Sequence, residues 1–361
     1  MKLQVTQENL NKALTTVARV ANSRNPLPIL NNILLKTVDN RLSVAATNLD
    51  IATTHFIGSK ISTGGAITVP ARLMQDFIGS LPESVLDLEL EDNKLHITTE
   101  KYRSTINGTS AEEFPVMPKI SDGKKWVLPA KNFKKALSQV VFAASSDDAR
   151  PILTGVSIHT HGGYLYIAAT DSYRLAQKKL TKQSTETGLL VPATATQDLL
   201  RIITDQDDEV SITHDDQQAQ FMVGDVTLVT RLIEGNYPDY RKLIPKSFAT
   251  TAQVKLADFL NITKVSSLFA RESAGSITIK VEKDMISINS VASQLGENTA
   301  QATAAVTGGG EVTLNSRYLI DALGAFSAEE VKFCFNGKLE PCVLKSEADS
   351  DYIHIVMPLR S

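Results

Sequence analysis

The sequence predicts an α+β protein built from three topologically similar copies of one domain, and three observations carry that expectation. One stretch occurs twice without a gap: Pro28-Ile29-Leu30, running on to Ala45-Ala46-Thr47-Asn48, returns 123 residues later as Pro151-Ile152-Leu153, running on to Ala168-Ala169-Thr170-Asp171. Other landmarks keep that spacing to within one residue. Val69-Pro70-Ala71 with Gln75-Asp76 returns as Val191-Pro192-Ala193 with Gln197-Asp198, and more faintly as Leu314-Asn315-Ser316 with Ile320-Asp321. Within each copy, period-two stretches alternate with stretches of helical period. A repeat this long denotes repeated domains, because solenoid units run to only about 20–50 residues.

Copy one opens on a strand, Lys2 to Val5, and a helix from Gln7 to Ala21 with Thr6 as N-cap. Leu10, Leu14, Val17 and Val20 form its apolar stripe, with Lys12 and Arg19 off it. The repeated stretch reads as strand, turn, strand: Ile33 and Leu35 alternate, Asp39-Asn40 turn, and Leu42 and Val44 resume. A strand at residues 66–69 leads to Pro70, which opens a second helix ending near Gly79. Three short strands follow, at residues 86–90, 94–98 and 103–107.

Copy two repeats the plan with helices at 131–144 and 193–203 and a Gly162-Gly163 turn. The acidic run at 205–209 reads as a solvated loop. Copy three has a helix from Leu256 to Phe269, strands at 276–281 and 285–290, a Gly308-Gly309-Gly310 loop and a helix at 316–323. The expected domains are residues 1–120, 126–246 and 247–361, each large enough to bury its own core.

Composition narrows the class. At 42% hydrophobic residues the chain is an ordinary globular one, with no apolar run of the roughly 20 residues that span a bilayer. The alternating N-terminus lacks a signal peptide's apolar core. Two cysteines, Cys334 and Cys342, read as buried strand residues rather than a disulfide framework, which points to a reducing, cytoplasmic setting. A net charge of −3 argues against coating nucleic acid by bulk charge.

No GxSxG, HExxH or GxxxxGK[ST] motif occurs, so neither a catalytic set nor a phosphate cradle is expected. His159 and His161 read as surface histidines without a metal partner set, and no cofactor or metal is expected. Asp76, Asp198 and Asp321 occupy equivalent places in separate copies, which suggests a repeated structural role. Charge is distributed unevenly. The predicted helices carry Lys12, Arg19, Arg72, Lys131, Lys134, Lys135, Arg201, Lys264 and Arg317 against Glu8, Asp76, Asp198, Asp258 and Asp321. If the helices share one surface, that surface is basic and the remainder acidic.

Over its whole length the sequence resembles the bacterial sliding clamp family, the β subunit of DNA polymerase III. The marks are Pro28-Ile29-Leu30, Val69-Pro70-Ala71-Arg72, the run from Ala169 to Ala176, Tyr237-Pro238-Asp239-Tyr240-Arg241 and the terminal Val356-Met357-Pro358-Leu359-Arg360. The resemblance implies two chains joined head to tail in a closed ring, with helices lining the hole and sheets outside. Such a ring encircles duplex DNA without sequence preference and tethers the replicative polymerase α subunit, the clamp loader and other proteins carrying a clamp-binding peptide. It is a processivity factor and not an enzyme.

Carried over by position, the resemblance implies a client pocket of Leu153, Thr170, Ser172, Tyr173, Arg174, Leu175, Pro238, Lys242, Leu243, Pro341, Ile355, Val356, Met357, Pro358, Leu359 and Arg360. Ser172, Tyr173 and Lys242 stand where the family often has Gly, His and Arg. DNA contact is expected at Arg24, Arg72, Lys131, Lys134, Lys135, Arg150 and Arg201. The dimer contact is expected between residues 101–106, including Arg103 and Ile106, with Met74, and the helix end at Leu268 and Phe269. Two other readings fit parts of the sequence: an enzyme of triplicated domains, which the missing acid–base set argues against, and a peptide-binding scaffold unrelated to DNA.

Overall fold

The computed structural model describes residues 1–21, 27–120, 122–294 and 296–360. Copy one runs β1 (Lys2–Thr6), α1 (Gln7–Ala21), β2 (Asn32–Val38), β3 (Arg41–Thr47), β4 (Ile51–Gly58), β5 (Lys60–Thr63), β6 (Ala66–Pro70), α2 (Ala71–Ser80), β7 (Val85–Glu91), β8 (Lys94–Thr98) and β9 (Arg103–Asn107). Copy two runs β10 (Lys124–Pro129), α3 (Ala130–Val140), β11 (Gly155–His161), β12 (Tyr164–Thr170), β13 (Arg174–Lys182), β14 (Gly188–Pro192), α4 (Ala193–Ile202), β15 (Glu209–His214), β16 (Gln218–Val223) and β17 (Val226–Arg231). Copy three runs β18 (Thr250–Lys255), α5 (Leu256–Phe269), β19 (Ser276–Glu282), β20 (Met285–Ala292), β21 (Gly296–Thr307), β22 (Gly310–Asn315), α6 (Ser316–Gly324), β23 (Glu330–Phe335), β24 (Cys342–Lys345) and β25 (Tyr352–Val356).

The chain divides into two compact units: residues 1–134 with 197–232, and residues 135–196 with 233–361. In the first, a five-stranded sheet (β5-β1-β7-β8-β9) accompanies an eight-stranded sheet (β10-β15-β16-β17-β4-β3-β2-β6). Every strand pairing in them is antiparallel. α1 lays its stripe on α2, β3 and β4, and Leu10, Leu14 and Val17 are fully buried. Truncating one of these leucines to alanine costs about 2–5 kcal/mol of local stability. Thr6 caps the helix, its Oγ1 accepting from the Asn9 amide at 3.3 Å.

In the second unit, twelve strands form one sheet, β14-β11-β12-β13-β25-β24-β23-β18-β21-β20-β19-β22. α5 packs on α6, β20 and β21, with Phe259 edge-on to Phe333 at 5.7 Å. Both cysteines are buried in neighbouring strands β23 and β24, and burial pushes their thiols up. The turn before β22 needs glycine: Gly308 sits at φ +80°, and a Cβ there would lie 2.1 Å from the Ala249 carbonyl oxygen.

Several expectations need correction. Pro28–Asn31 and Pro151–Thr154 are single 3-10 turns that lead into β2 and β11, because proline fixes φ and removes a ladder donor. α3 ends at Val140, whose φ of −119° leaves the helix, and Val141–Ala143 continue as a 3-10 turn. This directs Phe142 onto the His354 ring at 5.5 Å. His159 is not a surface residue: it stacks on Tyr166, meets Tyr240 edge-on, and burial holds it down at about 4. The three equivalent aspartates each pair with an arginine: Asp76 with Arg72, Asp198 with Arg201 and Asp321 with Arg174.

Candidate functional site

In the second unit, the resemblance-derived cleft is built on the loop joining β12 to β13. Thr170 and Asp171 bond the loop to itself. Thr170 Oγ1 donates to the Arg174 carbonyl at 2.6 Å, and Asp171 Oδ1 accepts the amides of Tyr173 and Arg174, both at 2.9 Å. The loop therefore turns through Ser172 at φ +80° and presents Tyr173, 56% exposed.

Arg174 is its anchor. Its guanidinium bonds Asp171 at 3.1 Å and Asp321 at 2.6 Å, and lies over the rings of Tyr318 (4.6 Å) and Phe142 (5.5 Å). Two carboxylates and two ring faces fix a planar cation in a way that lysine could not copy. Arg150 steadies the same loop from outside, donating to Asp147 at 2.9 Å and to Ser172 Oγ at 3.2 Å.

The C-terminal segment forms the other wall. β25 pairs with β13, Arg174 against Val356 and Leu175 against Ile355. The chain then leaves the sheet: the Met357 amide donates to the Tyr173 carbonyl, and the Leu359 amide to the Thr313 carbonyl, both at 2.8 Å. Met357 is half-buried and packs on a core cluster that includes Leu175, Tyr240 and Ile355, as do Tyr237 and Ile244. Leu243 is 49% exposed on the 3-10 turn Tyr240–Leu243, and Lys242 pairs with Asp239. Pro238 and Arg360 are exposed, Pro341, Pro358 and Leu359 half-buried, and Leu153 and Thr170 nearly buried.

Ile355 and Val356 are core residues at 1% and 0% exposure, so they floor the cleft and offer no surface to a ligand. The sequence reading did not single out the next-door cavity of about 920 Å³, which shares Arg150, Tyr173 and Arg174 and is also lined by Arg271, Asn315 and Tyr318. Tyr318 lies two residues after the repeated Leu314-Asn315-Ser316 mark, the one signal that could have found it.

The basic side chains differ sharply in how free they are. Arg72 is 87% exposed and only loosely paired to Asp76, at 3.9 Å. Lys131 is exposed with no ionic partner among the described residues. Lys134, Arg150 and Arg201 pair with Asp205, Asp147 and Asp198. Burial raises the Asp198 carboxyl, with Arg201 and Arg19 opposing it. Exposed pairs are worth about 0.2–1 kcal/mol, so the Lys134–Asp205 and Arg150–Asp147 pairs hold their cations only weakly, whereas Asp198 has a side chain only 20% exposed. Lys135 is different. It bonds Asp349 at 2.8 Å, and Asp349 also takes Lys178 and Gln139. Burial pulls the Asp349 carboxyl up, but these three donors outweigh it and hold it at about 2. Arg24 lies outside the described residues.

The expected dimer residues also divide. Met74 and Ile106 are buried in their own unit at 0% and 5% exposure, while Leu268 is 50% exposed, Phe269 half-buried and Arg103 exposed. The exposed apolar residue of α2 is Leu73, one place before Met74. Residue type alone does not show which of two adjacent apolar residues on a helix will be covered, and α2 packs chiefly on α1.

Three family descriptions match the chain in succession: DNA polymerase III beta subunit, N-terminal domain, over residues 1–118; central domain, over 127–239; and C-terminal domain, over 241–360. Among similar proteins, the beta sliding clamp of Streptococcus pneumoniae serotype 4 is 30% identical over 365 residues, covering 97% of both chains. That of Bacillus subtilis is 28% identical over 377 residues, covering both chains in full. A crystal structure of the DNA polymerase sliding clamp from Bacillus subtilis superposes with a TM-score of 0.94 at 27% identity, covering 100% of this chain and 99% of that one. One of the DNA polymerase III beta chain from Streptococcus pneumoniae gives 0.95 at 29%, covering both in full.

Proposed function

This chain belongs to the DNA polymerase III beta subunit family and is a DNA sliding clamp of replication, an accessory factor rather than a catalyst, and from that premise we propose how it closes around DNA and holds its clients. The observation that carries the proposal is a strand junction made twice and left open once. In the first unit, the last strand of copy two, β17, pairs with the fourth strand of copy one, β4. In the second, the last strand of copy three, β25, pairs with the fourth strand of copy two, β13. The remaining pair by this rule is β9 with β21. Among the described residues, β9 pairs only with β8, and residues 296–303 of β21 pair only with β20.

A second copy of the chain supplies the missing junction at each end, and two such contacts related by a twofold axis close a ring. Open edges invite pairing with another chain. Arg103 lies on the β9 edge, and Leu268 and Phe269 on the helix that packs on β21 add an apolar contact; Met74 and Ile106 support it from within. The domains are residues 1–120, 126–246 and 247–361. The ring works in the cytoplasm, around duplex DNA. Arg24, Arg72, Lys131, Lys134, Arg150 and Arg201 meet phosphates and read no bases, which permits sliding. The replicative polymerase α subunit, the clamp loader and other clients dock a peptide between the Tyr173 loop, Leu243 and residues 357–360.

The ring is tested by sedimentation equilibrium. Leu268→Glu with Phe269→Glu is expected to yield monomers with an unchanged circular dichroism spectrum. Dimers as tight as those of the parent protein would refute the assignment.

A further inference from the structure

The loop at residues 47–51 in the first unit repeats the loop at 170–174 bond for bond. Thr47 Oγ1 donates to the Ile51 carbonyl at 3.0 Å, as Thr170 does to that of Arg174. The Leu49 amide donates to Thr47 Oγ1, as that of Ser172 does to Thr170. Asn48 Oδ1 accepts the amides of Asp50 and Ile51, as Asp171 accepts those of Tyr173 and Arg174. The match extends to the strand that closes the other wall: the Arg231 amide donates to the Asp50 carbonyl at 2.9 Å, as that of Met357 does to Tyr173. Arg231 thus stands where Met357 stands, and Pro115 stands where Pro238 does, 123 residues away.

This second frame also encloses a groove, a cavity of about 230 Å³ bounded by Leu49, Pro115, Val116, Pro118, Val229 and Arg231. Its rim is apolar and open: Leu49 is 46% exposed and Val116 is 95% exposed. Leu49 is held at φ +78°, where a branched side chain is strained, while the equivalent turn position in the other loop carries a serine. The Arg231 guanidinium has no hydrogen-bond or ionic partner among the described residues. Ile51 replaces the anchored Arg174, so the floor here is apolar and 6% exposed. Asp50 is on the same rim, so the groove carries one acidic and one basic side chain.

We propose that this groove is a second docking site for an extended client segment, one that presents an aliphatic side chain to Leu49 and Val116 and a neighbouring carboxylate to Arg231. The inference rests on reading the cleft at Tyr173 and Met357 as a peptide site, since the backbone frame is the same. The apolar rim and the unpaired cation set a different sequence preference. So small a groove, with one exposed ion pair, gives a dissociation constant on the order of 0.1–1 mM.

The test is methyl NMR on the full-length protein, labelled at leucine and valine and titrated with the N-acetylated, C-amidated peptide Ala-Leu-Glu-Leu. Leu49 and Val116 report on the second groove, and Leu243 and Leu359 on the client cleft. The Leu49 and Val116 methyls are expected to shift saturably. Arg231→Glu, or the peptide Ala-Leu-Gln-Leu, is expected to weaken that binding about five- to tenfold, with the Leu243 and Leu359 shifts unaffected by the substitution. If Leu243 and Leu359 move while Leu49 and Val116 stay still, the second groove is refuted and the client cleft stands. If none of the four moves, both readings fail. Equal shifts at Leu49 with and without the Arg231 charge would overturn the carboxylate assignment.

Discussion

Replacing Arg174 with methionine removes the side chain on which the proposed client cleft depends and leaves a residue of similar length. The cost follows from what the guanidinium touches. Asp171 is 9% exposed and loses the one cation it pairs with among the described residues, but it keeps the amides of Tyr173 and Arg174. Stranding it therefore costs about 2–3 kcal/mol, less than the 3–5 of a fully uncompensated buried charge. Asp321, with its side chain 35% exposed, adds at most about 0.5 kcal/mol. The Tyr318 and Phe142 ring faces lose about 0.5–2 kcal/mol of cation attraction, part of which methionine recovers by sulfur contact. The sum is about 3 kcal/mol, localised at a loop that must be ordered to bind. If about half of it is repaid by the incoming peptide, affinity falls about tenfold. Isothermal titration with a polymerase-derived peptide measures this, and urea denaturation measures the stability. Arg174→Lys, which keeps the charge but not the fork, should fall between the two proteins. Parent affinity in the methionine variant would refute the view that Arg174 positions the cleft.

Further expectations concern charge. Neutralising Arg72 and Lys131 together should weaken DNA binding equally across sequences and reduce its logarithmic salt slope by about 1–2; Lys135→Gln should leave that slope nearly unchanged and destabilise the second unit, because Lys135 is held by Asp349. A full drop in slope from Lys135→Gln would place that lysine among the phosphate contacts after all. Stability should also fall on acidification. His354 is buried beneath Phe142 and bonded to Tyr352, and burial, reinforced by Arg174, holds it down at about 3. The native state therefore binds fewer protons than the unfolded chain between about pH 6.5 and 3. The stabilisation is complete above that window and shrinks within it by up to about 1.4 kcal/mol per pH unit. His354→Phe should flatten the urea-midpoint dependence between pH 7 and 5, and an unaltered slope would contradict the burial of a neutral ring.

What the sequence discloses here depends on the range of the interactions involved. The displacement of 123 residues and the apolar stripe of α1 are carried by residue type and spacing alone, and they located the copies and α1, whereas α3 was read four residues too long. β21 is not legible in that way. Its N-terminal half, Glu297-Asn298-Thr299-Ala300-Gln301-Ala302, alternates only in small alanines and is exposed or half-buried throughout, so its apolar signal is weak. The motif around Arg174 could be recognised, but its partners could not: Asp321 lies 147 residues away, and Phe142 reaches it only because α3 stops early. Burial of Met74 and Ile106, like the pairing of Lys135, is likewise a property of packing that residue type alone does not reveal. The match of Thr47-Asn48 to Thr170-Asp171 was written in the repeat itself, yet only the structure shows that the two loops share their hydrogen bonds.

The central claim, a ring held on DNA by topology, is tested most directly by loading the protein onto nicked circular duplex, removing the loader and free protein, and linearising the DNA with a restriction enzyme. Retention on the circle in salt that screens phosphate contacts, followed by release on linearisation, is the result expected of an encircling clamp. Loss from the circle in that salt, or equal retention on circular and linear DNA, would contradict it.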